Sequence, residues 1–145
     1  MEKKIIPARI EDAVIIKNID DVSFEKIFHE DLEYYEQCFK NGYDVFLLMV
    51  DGIAAGALIL SFIDHETIGV ESISIAPQYQ KKGLSSFLMD FVDHYSSSYK
   101  KIILEVYVNN KKAIDIYSKR GYNIVGMIDD YYADNYDAYV MEKTL

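Results

Sequence analysis

Residues Ile73 to Ser97 read ISIAPQYQKKGLSSFLMDFVDHYSS, and the fold turns on how this stretch is parsed. Ile73 and Ile75 end a β-branched, apolar run that begins at Thr67 and stops at Ala76-Pro77, the pattern of a strand closed by a residue that cannot continue a ladder. From Gly83 the period changes. Leu84, Phe87, Leu88, Phe91, Val92 and Tyr95 recur at intervals of three and four, so the spacing predicts an amphipathic helix over Gly83 to Ser97. Between strand and helix lies Gln80-Lys81-Lys82-Gly83-Leu84-Ser85. A helix N-terminus has unpaired N–H groups and the positive end of the dipole, so it binds phosphate oxygens through backbone alone. Gly83 lets that backbone approach a ligand closely, and Lys81 and Lys82 add positive charge. The same letters also describe an ordinary glycine-containing helix entry.

Upstream, Val45 to Ile63 is 19 residues with one charge, nearly enough to cross a bilayer. Asp51-Gly52 divides it into two β-rich runs, Asp44 to Val50 and Ile53 to Ile63, and Asp-Gly is a strong short-range hairpin signal. In mid-membrane an Asp would cost roughly 2.5–3.5 kcal/mol. A hairpin is therefore expected, not a span. Nearer the N-terminus, Ile5-Ile6 forms a short first strand and Glu11 to Asp21 has helical spacing. Ser23 to Phe39 reads as a second helix capped by Ser23, with Phe24, Ile27, Phe28, Tyr35 and Phe39 on one stripe. Downstream, Lys101 to Val108 is a buried strand. Asn110 to Arg120 is a helix that Gly121 ends in the left-handed conformation. Strands near Tyr122 to Asp129 and Asp137 to Thr144 close the chain. The order β-α-α-β-β-β-α-β-α-β-β implies an α/β fold whose mixed, mostly antiparallel central sheet has helices on both faces.

Composition narrows function. The chain has 145 residues, half of them apolar and 27% charged, which fits one domain spanning 1–145. A single cysteine, Cys38, offers no disulfide framework, and His29, His65 and His94 have no metal-ligand spacing. No metal is expected. The net charge of −9 argues against direct nucleic-acid binding. That charge is uneven. Glu11 to Gln37 holds nine acids and two lysines, and Asp129 to Asp137 holds four acids and no base. Gln80 to Arg120 carries eight bases against four acids. The asymmetry suits a positive module for an anionic ligand beside acidic segments that attract a cation, although solvated helix faces give the same arithmetic. With no apolar leader after Met1 to Lys4, a cytoplasmic chain without membrane attachment is expected.

A second motif, Asn110-x-x-Ala113-x-x-x-Tyr117-x-x-x-Gly121-Tyr122, follows the fourth long strand. Together with Gln80-x-x-Gly83-x-Ser85 it resembles the GNAT superfamily of acetyl-CoA-dependent N-acetyltransferases, which pairs R/Q-x-x-G-x-G/A with N-x-x-A-x-x-x-Y-x-x-x-G-F/Y. The resemblance runs from about Asp44 to the C-terminus. Leu104-Glu105-Val106 and the closing Asp130-Tyr131-Tyr132-Ala133-Asp134-Asn135-Tyr136-Asp137-Ala138-Tyr139-Val140-Met141 look like a narrower group. Protein N-α-acetyltransferases of the ribosomal-protein-alanine (RimI) type and of the archaeal and eukaryotic ribosome-associated type end in Y-Y-A-D-G-E-D-A-Y-x-M. Two departures stand out. Asn135-Tyr136 replaces Gly-Glu, which bears on loop shape and acceptor preference, and Ser85 replaces Gly or Ala.

The resemblance implies roles residue by residue. The backbone of Ile73 and Ile75 would meet the pantetheine arm of acetyl-CoA. The amides of Lys81, Lys82, Gly83, Leu84 and Ser85 would hold the pyrophosphate, with Gln80 shaping the turn. Asn110 would bond to the pantetheine amide region, and Tyr117 would protonate the leaving thiolate. Glu105 stands where RimI-like members place the general base, and Glu71 where polyamine-acetylating members place a Glu. Tyr131 and Tyr132 would line the acceptor groove. Each has a plainer alternative: Glu105 and Glu71 as exposed or paired strand residues, Tyr117 as helix packing, Tyr131 and Tyr132 as strand-edge aromatics.

Chemistry favours an N-terminal acceptor. Acetyl transfer needs a neutral amine, and an α-amine titrating near 7.7–8.0 is far closer to neutral than a Lys amine near 10.4. Deprotonating Lys instead costs about 3.5 kcal/mol more, so a modest base, Glu105 through a water, suffices for an N-terminus. No nucleophile sits in the motifs, so direct transfer is expected without a covalent enzyme intermediate. The expected acceptor is the α-amino group of a peptide or protein, in a monomer or homodimer. Two alternatives remain open: a small-amine (polyamine or amino acid) acetyltransferase using Glu71, and a non-catalytic acyl-CoA-binding module.

Overall fold

The computed structural model describes residues 1–145. Its elements are β1 (Lys3–Pro7), α1 (Ala13–Ser23), α2 (Leu32–Lys40), β2 (Asp44–Val50), β3 (Ile53–Phe62), β4 (Thr67–Ile75), α3 (Leu84–Tyr95), β5 (Lys101–Tyr107), α4 (Lys111–Lys119), β6 (Asn123–Ala133) and β7 (Tyr136–Thr144). Seven strands form one mixed sheet in the order β1-β2-β3-β4-β5-β7-β6. β4 and β5 pair in parallel. The pairs β1–β2, β2–β3, β5–β7 and β6–β7 are antiparallel. No helix is long and apolar enough to cross a membrane. By backbone contacts the chain divides into two compact units, Met1–Ser61 with Glu71–Tyr95, and Phe62–Val70 with Ser96–Leu145.

In the first unit Asp51 and Gly52 take φ values of 49° and 81°, the two left-handed residues that a tight hairpin turn requires, and the would-be span becomes β2 and β3. β3 is buried from Ala55 to Ser61, as a strand covered on both faces must be. Val45, Leu47, Ala57 and Ile59 pack with Ala13, Ile16 and Ile19 of α1 and Tyr35 and Cys38 of α2. On the opposite face of β2, Phe46 meets Phe91 and Tyr95 of α3 edge-on, at 4.9 and 5.6 Å between ring centroids.

One helix start differs from the sequence reading. Ser23 does not cap a second helix. It is the last residue of α1, and its hydroxyl donates to the Ile19 carbonyl at 2.5 Å and to the Ile75 carbonyl at 3.2 Å. The real cap is Asp31, whose Oδ1 accepts the Tyr34 N–H at 2.9 Å and starts α2 at Leu32. The Phe24–Phe28 part of the stripe belongs to a connection holding a 3-10 turn at Lys26–Phe28.

In the second unit β5 alternates cleanly. Ile102, Leu104 and Val106 are buried, while Ile103, Glu105 and Tyr107 lie half-buried on the other face. The ladder between β4 and β5 runs from Thr67↔Lys101 to Val70↔Leu104. α4 ends at Lys119, and Gly121 follows with φ +96°.

Candidate active site

The first unit carries the end of β4, the turn after it and the start of α3. Gln80 donates its side-chain amide to the Ile75 carbonyl at 2.9 Å, tying the turn back to the strand. That carbonyl also accepts from Ser23, so both its lone pairs are used within the protein. Lys81 and Gly83 both sit in the left-handed region, with φ +62° and +76°. Alternating left- and right-handed residues turn successive N–H groups to one side and make an anion-binding concavity. For Lys81 this conformation costs about 1–2 kcal/mol, and nothing in its residue type announced it.

Lys81, Lys82 and Gly83 are exposed, and a Cβ built on Gly83 meets nothing within 4 Å. Leu84 is 1% exposed, so its side chain anchors the helix and only its N–H is left to bind. Phe87 donates the first helical bond, to the Gly83 carbonyl, so the amides ahead of Phe87 at this helix entry are those a helix leaves without an internal partner. Open space, orphan amides and two lysines together fit a pyrophosphate.

Glu71 belongs to the same unit. It is half-buried on β4 and accepts a 2.6 Å hydrogen bond from the Ser61 hydroxyl. Burial is the first cause that raises the Tyr34 and Tyr43 phenols and pushes the Cys38 thiol up to about 11, and the Glu71 charge adds to all three. The sequence singled out Glu71 but neither Ser61 nor the two tyrosines. These come from different elements, and no local spacing joins them.

The second unit holds Glu105, Asn110, Tyr117, Tyr131 and Tyr132. Asn110 caps α4, its Oδ1 accepting the Ala113 N–H at 3.1 Å, and its amide NH₂ keeps two donors that a cap does not use. Tyr117 lies on α4 with its ring 5.7 Å from that of Tyr122. It is half-buried, and burial pushes its phenol up to about 12. Tyr132 is raised above the ordinary phenol range, first by burial and then by Tyr131, Glu105 and Tyr117. Those electrostatic couplings bring four of the expected residues into one neighbourhood.

Tyr136, from the Asn135-Tyr136 departure, stacks on Tyr107, which the sequence did not single out. Tyr107 lies 26° from parallel to Tyr136 at 5.2 Å and meets Tyr132 edge-on at 6.3 Å. Asn109 donates to the Tyr107 hydroxyl at 3.0 Å. At the hairpin tip Asn135 takes φ +66°, a conformation Asn tolerates as glycine does, and its N–H reaches Asp130 Oδ1 at 2.7 Å. No group of three or more His, Cys, Asp or Glu side chains is placed to hold a metal ion.

Comparison with known proteins gives the family and the fold. A family model described as the acetyltransferase (GNAT) family matches residues 14–122. An N-alpha-acetyltransferase of Sulfurisphaera tokodaii is 28% identical, over 99% of this chain and 94% of its own. Among solved structures, the ribosomal-protein-S18-alanine N-acetyltransferase of Escherichia coli superposes with a TM-score of 0.89 at 21% identity, covering 99% of this chain and 94% of that one. Arabidopsis thaliana Naa50, in complex with the bisubstrate analogue CoA-Ac-MVNAL, superposes at 0.85 with 22% identity over the whole of both chains. The mixed sheet is thus the GNAT fold, and the chain belongs to the GNAT acetyltransferase family and is an N-acetyltransferase.

Proposed function

We propose that residues 1–145 act as one cytoplasmic, RimI-like acetyltransferase domain that transfers acetyl from acetyl-CoA to the α-amine of a peptide or protein. The observation that supports this reading is the coupled set of Glu105, Tyr117 and Tyr132, a carboxylate beside two phenols held protonated. In this scheme the amides from Lys81 to Ser85 hold the pyrophosphate, and the backbone of Ile73 and Ile75, with the amide of Asn110, meets the pantetheine arm. The neutral amine attacks the thioester carbonyl, Glu105 accepts its proton through a water, and the C–S bond breaks toward a thiolate facing the Tyr117 hydroxyl. Tyr131 and Tyr132 border the acceptor.

A second reading takes its support from Glu71. A carboxylate that accepts the Ser61 hydroxyl, and whose charge acts on Tyr34 and Tyr43, suits a small cationic amine. Thiol release from acetyl-CoA, with a panel of short free-N-terminus peptides against spermidine and free amino acids, separates the two. Acetyl located by mass on peptide α-amines supports the first reading; turnover confined to small amines overturns it.

A further inference from the structure

We propose that Asp20 and Ser23, on the last turn of α1, are positioning residues for acetyl transfer: they brace Ser74 and Ile75 of β4 and so fix where the pantetheine arm and its thioester come to rest. This rests on the reading of Ile73 and Ile75 as the backbone that meets that arm. The end of β4 needs a brace. Its ladder with β5 stops at Val70↔Leu104. Ser74 and Ala76 direct their backbone groups at β3: a Cβ on Gly56 would strike the Ser74 carbonyl oxygen, and the Ala76 N–H donates to the Ala55 carbonyl at 2.8 Å. Backbone groups alternate in direction along a strand, so Ile75 presents its own to the edge away from β3.

On that edge the Ile75 carbonyl takes the Ser23 hydroxyl at 3.2 Å beside the Gln80 amide at 2.9 Å. One residue earlier the Ser74 side chain is buried, and its hydroxyl acts on the buried Asp20 carboxyl. Asp20 Oδ1 and Ser74 Oγ bond to nothing else, so each is the group the other has to face. Asp20 is itself held. Its Oδ2 accepts the Tyr35 hydroxyl of α2 at 2.7 Å, and its backbone carbonyl takes the Phe24 N–H that closes α1.

Stability does not explain a carboxyl at this place. Its desolvation is costly, and an aliphatic side chain beside Ile16, Ile19 and Tyr35 would pack without that loss. What Asp20 supplies and leucine does not is direction, toward α2 through one oxygen and toward β4 through the other. Acetyl transfer has a use for that precision, because displacing a reacting group by about 1 Å costs on the order of 10²-fold in rate.

Thiol-release kinetics, with calorimetry on CoA and on 3′-phospho-ADP, test the brace; the nucleotide keeps the pyrophosphate and lacks the pantetheine arm. Ser23→Ala removes one hydroxyl and keeps a good helix former, and Asp20→Ala removes both carboxyl oxygens. Each should lower kcat about ten- to hundredfold and weaken CoA about three- to tenfold, with nucleotide affinity within about twofold of native. Asp20→Asn still accepts from Tyr35 and has an N–H for Ser74, so it should return kcat and CoA affinity to within about threefold of native. Circular dichroism checks the fold, and if Asp20→Ala does not fold, Ser23→Ala decides. Variants that match the native enzyme, variants that lose CoA and nucleotide affinity in parallel, or an Asp20→Asn as impaired as Asp20→Ala would overturn the brace alone. A native protein that binds CoA no more tightly than the nucleotide would overturn the reading of the pantetheine site, and the brace with it.

Discussion

Replacing Tyr117 by Phe deletes one hydroxyl and leaves the ring on Tyr122, so it isolates what that hydroxyl contributes. Burial pushes the phenol up to about 12, whereas an ordinary thiol titrates near 8.5. Complete proton transfer from Tyr117 to a CoA thiolate is then uphill by about 3.5 pKa units, roughly 5 kcal/mol. In the proposed mechanism Tyr117 therefore works as a fixed hydrogen-bond donor to the departing sulfur and keeps its proton. The thiol's proton comes in the end from the amine by way of solvent or Glu105.

Losing one preorganised donor to developing charge costs about 10²–10³ in turnover. The negative sulfur exists only as the C–S bond breaks, so the loss should fall on kcat with the acetyl-CoA KM little changed. Thiol release measured from about pH 6 to about pH 10 should also give profiles of one shape for the native and Y117F enzymes, because a phenol near 12 does not titrate in that range. A Y117F enzyme within about twofold of native would remove the sulfur contact. A native alkaline limb in that range that Y117F abolishes would show the phenol ionising there, and the buried-donor reasoning would fail.

Three other perturbations test the scaffold around the site. Gly56→Ala builds a Cβ into the Ser74 carbonyl oxygen and against Leu48, so β3 and β4 must separate. Overpacking of this kind costs about 1–3 kcal/mol, and a thermal melt should drop by roughly 3–10 °C. Gly83→Ala meets open space, so its cost is the left-handed backbone alone, about 1–2 kcal/mol. Calorimetry should find CoA binding roughly five- to thirtyfold weaker with the melt moved by only a few degrees, and unchanged affinity would exclude this turn from the cofactor site.

Asp20 is 3% exposed and accepts the Tyr35 hydroxyl at 2.7 Å, and burial raises its carboxyl above the ordinary 3.8 against the opposing influence of the nearby Ser74 hydroxyl and the Tyr35 hydrogen bond. Between 3.8 and the higher folded value the folded chain therefore holds a proton there that the unfolded chain has released. Its stabilising contribution is full below 3.8 and is lost as pH rises through the folded value. Asp20→Asn should flatten the fall in melting temperature with rising pH, so its gain over the native protein grows as pH rises from 3.8 through the folded value. A constant offset between the two melts at every pH would refute the assignment.

The parts of the fold that were legible in the sequence are those where local chemistry and tertiary packing ask for the same thing. Asp51-Gly52 states its backbone conformation outright, and β2, β4 and β5 follow from β-branched runs with sharp ends. The region after α1 was misread because Ser23 and Asp31 are both acceptable caps. Ser23 instead closes α1, its hydroxyl donating to the Ile19 carbonyl of its own helix and to the Ile75 carbonyl, 52 residues away in sequence. The site divides in the same way. Gly83 and Gly121 announce their left-handed backbones, whereas Lys81 adopts the same conformation against its residue preference. Tyr107 and Tyr136 lie on different strands, and only the pairing of β5 with β7 sets them face to face.

What burial does to the tyrosines also constrains which groups can move a proton. Tyr34, Tyr35, Tyr43, Tyr117 and Tyr132 are all raised, and in each the first cause is burial. A raised phenol is a steady donor and a poor base, so proton acceptance falls to the carboxylates beside them, Glu71 in the first unit and Glu105 in the second. The carboxylate that adds to the burial of a neighbouring phenol also attracts an ammonium. Both settings therefore favour an amine that arrives charged and is neutralised in place. For an N-terminus near 7.7–8.0 that step is small at neutral pH, and for a polyamine or lysine near 10.4 it is about 3.5 kcal/mol larger. Glu71 spends one lone pair on Ser61, and a carboxylate steadied by a donor holds a cation well. In the proposed mechanism Glu105 sits with Tyr132 at the acceptor and with Tyr117 at the leaving sulfur, so the cheaper deprotonation of an N-terminus is the one its setting suits.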